Sequence, residues 1–218
     1  MSDILYLPVS IGEAIDKLTI LDIKYHKIKD ERKSNVKIEY DMLYEKMKDI
    51  VIEYKLYYNI MKIINLDIWD MMDILRDSNV SNVEYLIKCK ECIEANDVRF
   101  RIKNKINFVA KSVLKEQKGY NILRVGFNLK NENIILNDFI NSIKYYSILY
   151  DEIVISVHSK DIEFIKNIFS YDPTIIITDT LHNDIHKIFD FTKNVSLNDI
   201  YTELNITDDI INKYFSNF

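Results

Sequence analysis

Pro8-Val-Ser-Ile-Gly-Glu-Ala-Ile-Asp-Lys-Leu-Thr-Ile-Leu-Asp-Ile-Lys24 decides the architecture of the first half of the chain. Ser10 and Glu13 have the S-x-x-E spacing of a capping box, in which each side chain satisfies a backbone N–H at a helix N-terminus. A helix therefore begins here and runs to about Asp30. Beyond the cap, Asp16, Lys17, Asp22 and Lys24 alternate with Ile15, Leu18, Ile20, Leu21 and Ile23, which sets charged groups at the edge of an apolar face. Upstream, Ile4 to Val9 reads as a short strand, with Pro8 marking an edge or its end. Downstream, Val36, Tyr40, Leu43, Met47, Ile50, Tyr54, Tyr57 and Met61 recur at alternating spacings of four and three, a heptad seam. Leu18, Leu21, Tyr25 and Ile28 keep that spacing, so the two segments are predicted to pair as a long antiparallel hairpin turning near 30–35. Three shorter helices are predicted at about 67–77, 81–94 and 96–116, with Ser81 as an N-cap.

The period changes after Gly119. Asn121 to Phe127, Glu152 to Val157 and Thr174 to Thr178 are short β-rich runs, separated by helical segments at about 132–149 and 160–170. Strand, helix, strand, helix, strand reads as a parallel sheet with right-handed crossovers. The last stretch, about 182–217, reads as helical, with Ser196 and Thr207 as N-caps. The fold class is α+β: a helical domain over 1–118 and a small, Rossmann-like, three-stranded parallel α/β unit over 119–218.

Composition narrows the function classes. Only 3 Gly and 2 Pro stand against 48% hydrophobic residues, which favours long helices and also matches the codon bias of an AT-rich genome. Residues 119–218 carry 8 basic and 14 acidic side chains, a net charge of −6 that repels phosphate backbones and argues against nucleic acid as a partner. Arg99, Arg101, Lys103, Lys105, Lys111, Lys115 and Lys118 form a local basic stretch, read first as a solvated helix face. Cys89 and Cys92 supply two ligands where a structural zinc site needs four, so no metal is expected. No apolar run reaches the ~18–20 residues that cross a bilayer, and the expectation is a soluble, cytoplasmic protein with no membrane insertion.

Three segments together resemble a bacterial and viral family of unknown function. They are the opening run, similar to PVSxGExxDKxTILxIK, then Asn65-Leu-Asp-Ile-Trp-Asp-Met-Met-Asp-Ile-Leu-Arg76 and Asn96-Asp-Val-Arg-Phe-Arg-Ile-Lys-Asn-Lys-Ile-Asn107. They resemble N-x-x-LWDIEDxIR, with Met72 where an acidic residue is usual, and NDxRxxIKxxIN; Glu116 to Tyr120 follows as the EEKSY-like ending. The resemblance spans 8–120 and implies a genomic setting among surface-polysaccharide glycosyltransferases, with no activity or cofactor attached. Asn131 to Ile140, Tyr150 to Ile155 and Phe169 to Ile175 resemble stretches in the Rossmann-like halves of GT-B glycosyltransferases. Lys130-Asn131-Glu132 replaces the small Gly-Asp turn of that pattern, and about 100 residues cannot supply both Rossmann-like domains of such an enzyme.

Two candidate sites follow. Glu13, Asp16 and Lys17 on the first helix, with Asp70, Asp73, Arg76, Asp97, Arg99 and Arg101 on later ones, are placed to gather into one charged cluster. Such a cluster is either an anion or sugar pocket with Arg gripping a phosphate or carboxylate bidentately, or an internal ion network, and the second is preferred. Trp69 is a sugar-stacking candidate, although its setting between Ile68 and Met71 favours a core position. In the α/β unit, ligands of parallel sheets bind beyond the carboxyl ends of strands, which selects Asn128, His158, Ser159, Asp179 and Thr180, with His158 as the general base if there is chemistry. His182 and His186 have helical metal-ligand spacing but lack the glutamate of H-E-x-x-H. The preferred function is an accessory protein of glycan assembly that binds a sugar, nucleotide-sugar or glycosyltransferase partner. The alternatives are a glycosyltransferase-like enzyme completed by dimerisation and a structural interaction module, with the helix hairpin as the homodimer surface.

Overall fold

The computed structural model describes residues 4–117, 119, 122–130, 140, 143 and 147–190. The chain divides into two compact units, Met1–Gln117 and Lys118–Phe218, and its class is α+β.

The first unit is helical: α1 (Ile11–Lys27), α2 (Arg32–Glu53), α3 (Lys55–Arg76) and α4 (Asn82–Val109). α1 opens at Ser10, whose hydroxyl accepts the Glu13 N–H at 3.1 Å. Lys17 reaches Glu39 at 2.8 Å and the Lys33 ammonium sits 4.3 Å from the Tyr25 ring centre, so α1 and α2 run antiparallel. None of the eight seam residues from Val36 to Met61 is exposed, and Met47 and Met61 are buried. At Tyr54, with φ −109° and ψ 35°, the backbone leaves helical geometry, and α2 gives way to α3. Bonds from Tyr54 N to Ile50 O and from Tyr58 N to Tyr54 O carry the ladder across, which is why the seam spacing survives the break.

Several predicted boundaries shift. Ile4 to Val9 is irregular and exposed, not a strand; the helical unit around it offers no strand whose N–H and C=O groups it could pair with. The segment predicted at 67–77 is the second half of α3, and those at 81–94 and 96–116 merge into α4, since no Gly or Pro interrupts them. Ser81 does cap α4, accepting Glu84 N–H at 3.2 Å. α4 stops at Val109 because Lys111 adopts φ 50°, while Ser112 N bonds to Asn107 O and Lys111 N to Phe108 O. This is a Schellman stop, built here without glycine. The core joins Ile15, Leu18 and Leu21 of α1 to Ile60 and Ile64 of α3 and to Ile106 of α4. Gly12 permits the closest approach, since a Cβ there would lie 2.4 Å from the Lys103 carbonyl oxygen.

Among the described residues, the second unit holds a parallel sheet of four strands rather than three: β1 (Arg124–Asn128), β2 (Glu152–Ser156), β3 (Ile175–Thr178) and β4 (Lys187–Asp190). Their order is β3-β2-β1-β4. Val125, Phe127, Ile153, Ile155, Ile177 and Phe189 share a core with Ile143, Ile165 and Phe169, the last two on or next to α5 (Ile162–Ile168). The expected helix from 182 is absent up to residue 190. Non-local pairing wins there: β4 takes its ladder from β1, with Phe127 opposite Phe189, and the two rings stack at 5.4 Å. The connection into β4 is pinned to β1, with Arg124 Nη1 to Asp184 at 2.6 Å and Arg124 N to His186 Nδ1 at 3.1 Å. It crosses the sheet where β1 has no side chain, for a Cβ on Gly126 would lie 3.1 Å from Ile185. Ser196 and Thr207 lie outside the described residues.

Candidate functional site

The opening of α1 meets α3 and α4 in a buried charge cluster. Asp16, 1% exposed, receives a bidentate grip from Arg99, with Nε 2.9 Å from Oδ1 and Nη2 2.6 Å from Oδ2. Asn65 donates to Asp16 Oδ1 at 2.8 Å and to Thr19 Oγ1 at 2.9 Å, while the Thr19 hydroxyl donates to Asp16 O. Lys103 binds Glu13 Oε2 at 3.0 Å, lies 3.9 Å from Asp16 Oδ2, and makes a close ion pair with Glu116. The hydrogen bonds it donates to Asp16 hold the Arg99 guanidinium above its ordinary pKa. Burial works against the Lys103 charge, yet hydrogen bonds to Glu116 and Glu13 and the field of Asp16 outweigh it and raise its pKa.

The N-terminus of α1, a natural anion seat, is closed by this chain's own side chains. Ile11 N–H donates to Ser112 Oγ at 3.2 Å, Gly12 N–H to Asn107 Oδ1 at 2.7 Å and Glu13 N–H to Ser10 Oγ. Both cations of the cluster face carboxylates. In this geometry the group is an ion network that fixes α1 against α3 and α4.

Of the residues expected there, Glu13, Asp16 and Arg99 come together. Lys17 faces outward to Glu39. Arg76 is exposed beside Asp73 at 3.6 Å, about 16 Å further along α3 than Asn65. Trp69 is half-buried on α3, and Asp97, half-buried on α4, has a partner of its own. Asn65, Lys103 and Glu116 belong to the group although the sequence reading does not place them there; the one sequence signal for any of them is that Asn65 opens the family-like segment from 65 to 76.

A second polar group surrounds Asp22, one and a half turns beyond Asp16. Asp22 receives Lys62 at 2.6 Å, the Tyr58 hydroxyl at 3.2 Å and His26 Nδ1 at 3.1 Å. Burial, with the nearby Asp22 charge adding to it, pushes the Tyr58 phenol well above its usual range. Asp22 was legible only as an edge charge, because Tyr58 and Lys62 join it from another helix.

In the α/β unit, the carboxyl ends of the strands place Asn128 on β1, His158 and Ser159 after β2, Asp179 and Thr180 after β3, and Asp190 on β4. The His158 ring nitrogen Nε2 lies 3.1 Å from the Lys130 carbonyl, and Asp179 accepts from Ser159 and Thr180 at 3.3 and 3.2 Å. The chain winds from β1 through β2 to β3 and then returns to β4 on the other side of β1. The strand order therefore reverses between β1 and β4, the position where open parallel sheets leave a ligand crevice. Asn128 and Asp190 are register partners there, with Asn128 Nδ2 donating to Asp190 Oδ1 at 3.2 Å. The Asn128 Oδ1 atom is buried and has no hydrogen-bond partner among the described residues. His182 and His186 are not on a helix, so their spacing carries no metal geometry, and among the described residues no group of three His, Cys, Asp or Glu could hold a metal ion. No described helix is long and apolar enough to cross a membrane.

No curated protein and no solved structure matches the chain. The sequence profile of DUF6165, a family of unknown function, matches residues 5–133, which takes in α1 to α4 and β1. That match covers more than half of the chain, and the protein belongs to this family.

Proposed function

We propose that this protein is a non-catalytic binding component of glycan assembly that takes a sugar or nucleotide-sugar at the carboxyl ends of its strands, between β1 and β4. The observation that carries the reading is the buried Asn128 Oδ1, without a hydrogen-bond partner among the described residues, beside Asp190 at the reversal of strand order. A buried amide oxygen without a donor costs about 1–3 kcal/mol, a cost that a ligand hydroxyl or amine would relieve. The carboxylates of Asp190 and Asp179 favour hydroxyl donors, as an acidic side chain at this place does with a ribose. Lys130, just past β1, is the nearest cation in sequence for a phosphate. The glycan setting rests on the resemblance of residues 8–120 and of the three segments between 131 and 175.

Support for binding without catalysis comes from the helical unit and from His158. The Asp16–Arg99 pair is mutually neutralised, and His158 Nε2 is engaged by a carbonyl rather than aligned by an acid. The test is a thermal-shift screen of uridine, guanosine and cytidine diphosphate sugars and of sugar phosphates. A ligand at a hundredfold excess over its Kd adds about 2.7 kcal/mol to stability. The expected result is a raised melting temperature in wild type and Arg99→Lys, lost in Asn128→Ala, with no accelerated hydrolysis of the donor. A flat screen overturns the reading.

A further inference from the structure

The polarity of the strand ends is set by where their own side-chain donors point. A carboxylate only accepts, so the Asn128 amide turns its nitrogen to Asp190, with Nδ2 donating to Oδ1 at 3.2 Å. Flipping the amide would set oxygen against carboxylate. Asn128 Oδ1 is thereby fixed as a buried acceptor, with no hydrogen-bond partner among the described residues. A carbonyl also only accepts, so the contact of His158 Nε2 with Lys130 O at 3.1 Å puts the proton on Nε2 and leaves Nδ1 of the neutral ring as an acceptor. The hydroxyls of Ser159 and Thr180 donate to the two carboxylate oxygens of Asp179, at 3.3 and 3.2 Å, and keep lone pairs for anything else. Each of these side chains directs its donor group to an acceptor of the protein itself.

Such a pattern discriminates between ligand groups. A sugar hydroxyl both donates and accepts, so at an acceptor-rich site its own oxygen is left over. An ammonium carries three donors and no acceptor, and it matches. Its hydrogen bond to a carboxylate is charge-assisted and about twice as strong as a neutral one. A carboxylate has about four acceptor positions, so the bond from Asn128 leaves Asp190 room for a further donor. An acetylated amine fits less well, because it keeps one N–H and brings a carbonyl of its own. Lys130 and Lys160, which follow β1 and β2, are the cations of these loops and suit the diphosphate of a nucleotide-sugar, not an amine.

Given the strand-end site proposed above, on which this rests, we infer that the sugar taken between β1 and β4 is an amino sugar with a free amine. Its ammonium donates to Asn128 Oδ1 and to the Asp190 carboxylate. The ligand class narrows from sugars at large to cationic ones.

The test is isothermal titration of the full chain, at a mildly acidic pH where the sugar amine is protonated, with three uridine diphosphate sugars. Glucosamine carries the ammonium, N-acetylglucosamine an amide and glucose a hydroxyl at the same carbon. The glucosamine derivative is expected to bind at least about tenfold more tightly than either of the others. Asp190→Asn keeps an acceptor for Asn128 Nδ2 and removes the charge. It is expected to erase that margin while the glucose derivative stays within about threefold of its wild-type Kd. The order of the three sugars on wild type decides the matter even where a variant fails to fold. Equal affinity for all three, lost in Asn128→Ala, overturns the amino-sugar inference and leaves the strand-end site standing. Tight binding of the glucosamine derivative that persists in a folded Asn128→Ala overturns it too, because the ammonium then sits elsewhere. So does displacement of the sugar by an equal concentration of spermidine, since any amine is then the ligand. Absence of heat with all three also overturns it, and the wider nucleotide-sugar screen then decides the site.

Discussion

Asp16 carries the packing of the helical unit because one buried carboxylate satisfies donors from two other helices. Breaking such a pair from one side leaves a buried charge uncompensated, which costs about 3–5 kcal/mol, whereas replacing both partners by apolar groups of similar volume is often neutral. Asp16→Ala is therefore expected to lose about that much stability in urea titration, and Asp16→Leu/Arg99→Met to recover most of it. Recovery separates an ion network from a ligand pocket, since a pocket would lose its binding in both. The two glycines in close contacts give a ranking at the same scale. Gly12→Ala sets a methyl against the backbone carbonyl of Lys103, while Gly126→Ala meets only the Ile185 side chain, which can turn aside. Overpacking typically costs about 1–3 kcal/mol, and chemical denaturation is expected to show Gly12→Ala at the upper end and Gly126→Ala at the lower.

At the scale of elements, local signals were legible where local chemistry decides the outcome. Ser10 and Ser81 were read as caps from spacing alone, and each accepts the predicted N–H. Ser10→Ala is expected to cost about 0.5–2 kcal/mol of stability by urea titration. Where a distant partner decides, the local signal and the structure part. Glu13 was expected to reach back to its own helix end, but Lys103 of α4 engages its carboxylate. The end of α4 was placed at about 116 because no glycine marks the stop at Val109; Lys111 takes the left-handed conformation instead. A non-glycine residue there costs about 1–3 kcal/mol, so Lys111→Gly is expected to be neutral or to raise the midpoint of denaturation. Lys187 to Asp190 was read as helical because a strand of four residues has too short a period to register, and only pairing with β1 reveals it.

For the whole molecule, composition and periodicity separated a helical region from a parallel α/β region, but not which charges meet. Glu13, Asp16 and Arg99 converge through three helices, and Arg76 does not, a distinction that rests on helix length and register rather than on residue type. The Asp16 and Asp22 groups together set the alkaline limit of stability. Tyr58 and Lys103 are both held more strongly in their protonated forms by the fold. Each contribution is complete below the unfolded value, about 10 for Tyr and 10.4 for Lys, and is lost as pH rises through the higher folded value. Stability is expected to fall above about pH 10, and to fall less steeply in Tyr58→Phe, as followed by denaturation at stepped pH.

The central claim is that ligand recognition belongs to the strand ends while the helical charge cluster only holds helices together. Isothermal titration of whichever nucleotide-sugar gives the largest thermal shift, run on wild type, Asn128→Ala and Arg99→Lys, tests it most directly. The account predicts that Asn128→Ala abolishes the binding heat and that Arg99→Lys leaves Kd within about threefold of wild type, or about 0.65 kcal/mol. Binding that survives Asn128→Ala and disappears in a folded Arg99→Lys variant would contradict it.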